Sequence, residues 1–108
     1  MRIANKTALV TGGGSGLGEA SSLRLAQEGA RVFVTDISHD SAERVAHSIR
    51  EVGGKATALH HDVTQESDWL RVHDAIAKEC DSLDILVNNA GVAFSGNIEE
   101  TTLDDWRA

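Results

Sequence analysis

The sequence predicts an α/β fold, a doubly wound parallel sheet with strand order 3-2-1-4. Three observations carry that expectation. Short β-branched runs alternate with longer amphipathic segments, a cluster of glycines separates the first strand from the first helix, and the second strand ends on an acid. Such alternation argues for parallel strands joined by helical crossovers. Right-handed crossovers set the first three strands side by side, and the fourth then adds on the far side of the first. The reversal opens a crevice at the carboxyl ends of strands one and four, the place where open α/β sheets bind ligands.

The elements follow in order. Thr7–Thr11 is apolar and β-branched and runs into glycine, the pattern of a buried strand. From Gly16 to about Glu28, Leu17, Ala20, Leu23, Leu25 and Ala26 fall near helical spacing, and Gly29 ends the helix. Arg31–Asp36 is a second strand with a β-branched and aromatic middle. Between Ser41 and Val52, the apolar positions Ala42, Val45, Ala46, Ile49 and Val52 recur at three- and four-residue steps, an amphipathic helix that Gly53-Gly54 closes. Lys55–His60 is a third strand with a weaker pattern, followed by Asp62-Val63 in a loop. Thr64 is placed to cap the next helix, which runs through Trp69, Val72 and Ile76 to about Glu79. Leu83–Asn88 is the fourth strand, and 101–105 reads as a helix start with acids in its first turn.

Composition narrows the function classes. The 108 residues suit one small domain, and 41% apolar with 25% charged residues is the balance of a folded globular chain. A net charge of −7 disfavours a phosphate backbone as partner, so no nucleic-acid role is expected. The single cysteine, Cys80, cannot close an internal disulfide, and it reads as a small packed residue near a helix end. No stretch approaches the roughly 20 apolar residues of a membrane span. Residues 1–6 are short and polar and lead to a glycine loop rather than a cleavage site, so the expected location is cytoplasmic. The sequence ends about two turns into its last helix, which would leave the fourth strand as a bare apolar edge. Residues 1–108 are therefore expected to be a dinucleotide-binding segment forming the first part of a longer single domain.

The chemistry sits at strand ends. Residues 11–18, Thr-Gly-Gly-Gly-Ser-Gly-Leu-Gly, lie between a strand and a helix, and Gly12, Gly16 and Gly18 suit a tight turn with close packing. The helix that follows offers unpaired amides and a positive dipole end, which suit a pyrophosphate. Ser15 and Leu17 belong to the same ligand-facing turn. Asp36 lies 18 residues after Gly18, where a carboxylate can accept hydrogen bonds from ribose hydroxyls. A ribose 2′-phosphate there would be repelled. The glycine loop has no Arg or Lys, and Ile37 follows Asp36, so no cation is expected where it would neutralise that phosphate. The expected cofactor of this Rossmann-type arrangement is NAD rather than NADP.

Thr-Gly-x-x-x-Gly-x-Gly at 11–18 and Asn-Asn-Ala-Gly at 88–91, with Asp62-Val63 between them, resemble the classical short-chain dehydrogenases/reductases over essentially the whole chain. The resemblance implies that the glycine segment holds the cofactor phosphates, that Asp36 holds the ribose, and that Asp62 and Val63 border the adenine. It also implies that Asn89, Ala90 and Gly91 line the adenosine side, while Asn88 ties the sheet together. Family members catalyse with a serine and a Tyr-x-x-x-Lys pair, helped by an asparagine. This sequence contains no tyrosine, so the acid/base that would protonate a carbonyl oxygen is missing and no catalytic residue is assigned. Ser95 comes too early to stand for the family's serine.

The implied activity is hydride transfer between a nicotinamide and a secondary alcohol or ketone, with the catalytic half absent from this chain. The small-molecule substrate and a homo-oligomer belong to the complete protein. The run His60-His61-Asp62-Val63 followed by Trp69 resembles bacterial hydroxysteroid and secondary-alcohol dehydrogenases. Two alternatives stand beside this reading: a nucleotide-binding module without catalysis, and a family member that epimerises, dehydrates or reduces an enoyl group. No His or Cys cluster has metal-ligand spacing. His60 and His61 are consecutive and point to opposite faces, and the histidines are expected at the surface or at strand ends. Trp69 and Trp106 are expected to pack on helix apolar faces.

Overall fold

A computed structural model describes residues 4–89. Ser95, Trp106, the helix start at 101–105, Ala90 and Gly91 lie outside the described residues. The elements are β1 (Thr7–Thr11), α1 (Gly16–Gln27), β2 (Arg31–Asp36), α2 (His39–Glu51), β3 (Lys55–His60), α3 (Glu66–Ala77) and β4 (Ile85–Asn88). All pairings are parallel and the strand order is β3-β2-β1-β4, as the sequence predicts. Thr11 is in register with Thr35 on one side and Asn88 on the other, so the carboxyl ends of β2, β1 and β4 are level.

The alternation of side chains along the strands divides the core between two faces. On one face Ala8, Val10, Val32, Val34 and Ala56 meet Ala42, Val45, Ala46 and Ile49 of α2, with Leu23, Leu25 and Ala26 of α1 against them. On the other, Leu9 and Phe33 meet Trp69, Val72 and Ile76 of α3, together with Val63 and Leu83. Helices therefore cover both faces, which is why β1 is buried along its whole length and β2 through its middle, rather than on alternate residues.

Several boundaries differ from the sequence expectation. The second helix begins at His39 instead of Ser41, because Ser38 caps it: the Ser38 side chain accepts from the Ser41 amide at 3.3 Å. The third helix begins at Glu66 with Gln65 at the cap position, not Thr64. Thr64 turns instead onto Asp62, whose Oδ1 accepts from the Thr64 amide at 3.0 Å and from its hydroxyl at 2.6 Å. That local Asx turn competes with helix capping and wins. The helix also stops at Ala77, short of Glu79. Strand pairing in β4 starts at Ile85, after Asp84, whose Oδ2 accepts from the Thr7 amide at 2.9 Å.

Candidate functional site

The loop between β1 and α1 crosses the carboxyl end of the sheet. Gly12 and Gly16 have φ of 63° and 56°, the left-handed region, and they turn the chain from strand into helix. Gly18 sits where a Cβ would lie 2.0 Å from the Gly12 carbonyl oxygen, so only glycine lets the helix approach the strand this closely. Ser15 is the N-cap residue of α1, extended at φ −161°, and its side chain makes no capping hydrogen bond. The first amides of a helix have no intrahelical acceptor. Ser15, Gly16 and Leu17 are exposed, Leu17 at 80%, so this turn is open to a ligand.

Asp36 fixes the loop from the end of β2. Its Oδ2 accepts from the Gly14 amide at 3.0 Å and its Oδ1 from the Ser38 amide at 3.0 Å. An ionised carboxylate has about four acceptor positions, so both oxygens keep capacity for a further donor. Ile37 beside it is 65% exposed. Sequence reasoning passed over Gly13 and Gly14, yet both are needed. A Cβ at Gly13 would lie 2.9 Å from Val34 Cγ1 and 3.0 Å from the Val10 carbonyl oxygen, and one at Gly14 would lie 2.9 Å from Asp36 Oδ2. Three consecutive glycines beside a strand-end acid were the signal.

An arginine also reaches this loop from α2. Arg44 Nη2 donates to the Gly14 carbonyl at 2.8 Å, while Nη1 and Nη2 donate to the two carboxylate oxygens of Glu19 at 3.2 and 3.0 Å. The fork holds the Glu19 carboxyl below the usual carboxylate range. The expectation that no cation approaches the glycine loop therefore needs correction: residues distant in sequence bring one there, with its charge met by Glu19.

The end of β3 forms the adjoining wall. The His61 amide donates to the Asp36 carbonyl at 2.9 Å, locking β3 to β2 beyond the strands. The Asp62 amide donates to Asp68 Oδ2 at 2.8 Å, and the Val63 carbonyl accepts from Trp69 Nε1 at 2.9 Å. Two side chains of α3 thus hold the Asp62-Val63 backbone in place, with Val63 buried and Asp62 half-buried. Hydrogen bonds from the Thr64 side chain and amide hold the Asp62 carboxyl below its ordinary range. The Asp62 amide, ahead of the Arg71 guanidinium, does the same for Asp68.

His61 is not a surface residue. It is 2% exposed, its ring stands edge-on to Trp69 at 4.4 Å, and Nδ1 lies 3.0 Å from Thr35 Oγ1. Burial pushes its pKa down to about 4. His73 is buried as well, so the histidines divide between interior and surface. On the far side of β1, Thr11 Oγ1 donates to Asn88 Oδ1 at 2.7 Å and the Asn89 amide donates to the Thr11 carbonyl at 3.2 Å. Asn88 ties β4 to β1, and exposed Asn89 leaves the sheet at the mouth of the crevice.

Gly12, Ser15, Gly16, Leu17, Gly18, Asp36, Ile37, Asp62, Val63 and Asn89 are thus gathered at the carboxyl end of one sheet. The donor set, helix-start amides next to a strand-end carboxylate, fits a dinucleotide: amides for an anionic diphosphate, a carboxylate for sugar hydroxyls. A cavity of about 980 Å³ lies at the opposite end of the sheet among residues such as Gln27, Val52, Lys55 and Ser82. It contains none of these groups. Among the described residues no cluster of three or more His, Cys, Asp and Glu side chains gathers as a metal site, and no helix is long and apolar enough to cross a membrane.

Comparison with known proteins agrees with this architecture. A family model for the short chain dehydrogenases matches residues 6–108. The chain is 41% identical over 105 residues to cyclopentanol dehydrogenase of Comamonas testosteroni, covering 97% of this chain and 42% of that protein. The crystal structure of a hydroxysteroid dehydrogenase from Escherichia coli superposes with a TM-score of 0.80 at 38% identity, over 83% of this chain and 38% of that one. A 7α-hydroxysteroid dehydrogenase complexed with NADH and 7-oxo glycochenodeoxycholic acid gives 0.77 at 36% identity, over 80% and 34%. A complex of Pseudomonas aeruginosa RhlG with NADP gives 0.75 at 34% identity, over 83% and 36%. The chain spans about two fifths of the length of the relatives it matches. With a strand-end acid, a glycine-walled helix start and a parallel 3-2-1-4 sheet in place, the chain belongs to the short-chain dehydrogenase family.

Proposed function

We propose that this chain is the nucleotide-holding part of an NAD-dependent oxidoreductase that interconverts a secondary alcohol and a ketone. The observation that carries the cofactor assignment is the Asp36 carboxylate, fixed 3.0 Å from the Gly14 amide at the lip of the helix start. Held there, it accepts hydrogen bonds from both adenosine ribose hydroxyls and repels a 2′-phosphate. The amides of Ser15, Gly16 and Leu17 take the diphosphate. Asp62 and Val63 border the adenine, and Asn89, Ala90 and Gly91 line the other side of the adenosine. When bound, the nicotinamide supplies a hydride carrier; the residues present here bind and orient it.

No residue of this chain supplies the acid/base step, because the sequence has no tyrosine. The substrate is a small alcohol or ketone, and the whole protein assembles as a homo-oligomer. Support for the substrate class comes from the cyclopentanol dehydrogenase and the hydroxysteroid dehydrogenases among the relatives. The purified 108-residue chain is expected to bind NAD and to reduce none of it in the presence of cyclopentanol or a hydroxysteroid. Nucleotide binding is followed by titration calorimetry and turnover by absorbance at the wavelength of the reduced nicotinamide. Measurable turnover would contradict the assignment of catalysis to residues elsewhere, and failure to bind any adenine dinucleotide would contradict the site.

A further inference from the structure

We propose that Glu19 is a specificity-determining residue of this site, acting by sequestering Arg44. The proposal rests on the reading of Asp36 as the ribose-binding acid. Gly14 links the two charged groups: its amide donates to Asp36 Oδ2 at 3.0 Å, and its carbonyl accepts from Arg44 Nη2 at 2.8 Å. The guanidinium and the carboxylate are thus separated by the backbone of one residue. A ribose 2′-phosphate entering beside Asp36 would come within reach of the Arg44 side chain, whose planar fork suits phosphate as well as carboxylate.

Glu19 occupies that fork. Both its oxygens are engaged, at 3.2 and 3.0 Å, from the first turn of α1. The two side chains are 31% and 56% exposed, so the pair lies at the rim of the site and not in the core. Exposed ion pairs contribute little to stability, which makes this one a contact that can be removed without loss of the fold. While it stands, Arg44 is neutralised and Asp36 acts on the ribose uncompensated. Without Glu19 the same arginine becomes a phosphate-binding cation. NAD selection then has two components: the negative charge of Asp36, and a second acid that keeps a nearby arginine occupied.

The test compares NAD and NADP dissociation constants by titration calorimetry for the wild type, Glu19→Gln, Arg44→Gln, the double variant, and Asp36→Ala. Glu19→Gln is expected to shift the affinity ratio toward NADP by about five- to tenfold, the scale of the net contribution of one hydrogen bond. Adding Arg44→Gln is expected to abolish that shift. An unchanged ratio in Glu19→Gln, or a shift that survives in the double variant, overturns the proposal. Asp36→Ala separates this failure from that of the underlying site. If it binds NAD as tightly as the wild type does, the ribose assignment falls and the proposal with it. If it weakens NAD binding while Glu19→Gln leaves the ratio unchanged, only the role of Glu19 falls.

Discussion

Gly18 has the least freedom of any residue at the site, since its hydrogen faces the Gly12 carbonyl where no larger group fits. Gly18→Ala forces α1 away from β1. It is expected to cost about 1–3 kcal/mol, the scale of overpacking, seen as a lower urea midpoint, together with weakened NAD binding. Unchanged values for both would contradict the close approach. Asp36→Ala combined with Ile37→Arg removes the repelling charge and adds a cation, and the NAD/NADP affinity ratio is expected to fall by at least about tenfold. His61 offers a pH test. Its folded pKa of about 4 lies below the unfolded value, so the fold favours the neutral ring. Between those values the unfolded chain binds more protons, and stability present above about pH 6.5 is lost as pH falls toward 4. The shift corresponds to about 3 kcal/mol. Chemical denaturation across this range is expected to show a steeper acid loss in the wild type than in His61→Gln; parallel curves would contradict the role of burial.

At the level of elements, α3 both packs and positions. Val72 and Ile76 are fully buried against the sheet, while Asp68 and Trp69 on the same helix hold the Asp62-Val63 backbone. Ile76→Ala is expected to cost about 2–5 kcal/mol in equilibrium unfolding, and a loss below about 1 kcal/mol would contradict its burial. The elements were legible because periodicity is written in apolar positions: Ala42, Val45, Ala46 and Ile49 announce α2, and all four are buried. Helix starts were less legible, because Ser38, Thr64 and Gln65 compete locally and a choice between capping and an Asx turn depends on geometry. The burial of His61 was hidden for a related reason: its partners Thr35 and Trp69 lie 26 residues before it and in the helix that follows it. Likewise Arg44 is 30 residues from Gly14, and only the packing of α2 beside α1 brings them together.

At the scale of the molecule, the strand order decides where chemistry can occur. The 3-2-1-4 order sends the chain to opposite sides of β1, and the parallel pairing brings the carboxyl ends of β1, β2, β3 and β4 to one end of the sheet. That placement was legible from alternation, handedness and glycine position alone. The sequence left substrate and acid/base chemistry open: the chain spans about two fifths of its relatives' length and has no tyrosine. The central claim, that a dinucleotide lies across the start of α1 with its adenosine ribose on Asp36, is tested most directly by a crystal structure of the protein with NAD. The account expects the diphosphate oxygens within hydrogen-bond distance of the amides of residues 15–17 and both ribose hydroxyls on the Asp36 carboxylate. A nucleotide bound at the opposite end of the sheet, or a ribose turned away from Asp36, would contradict it.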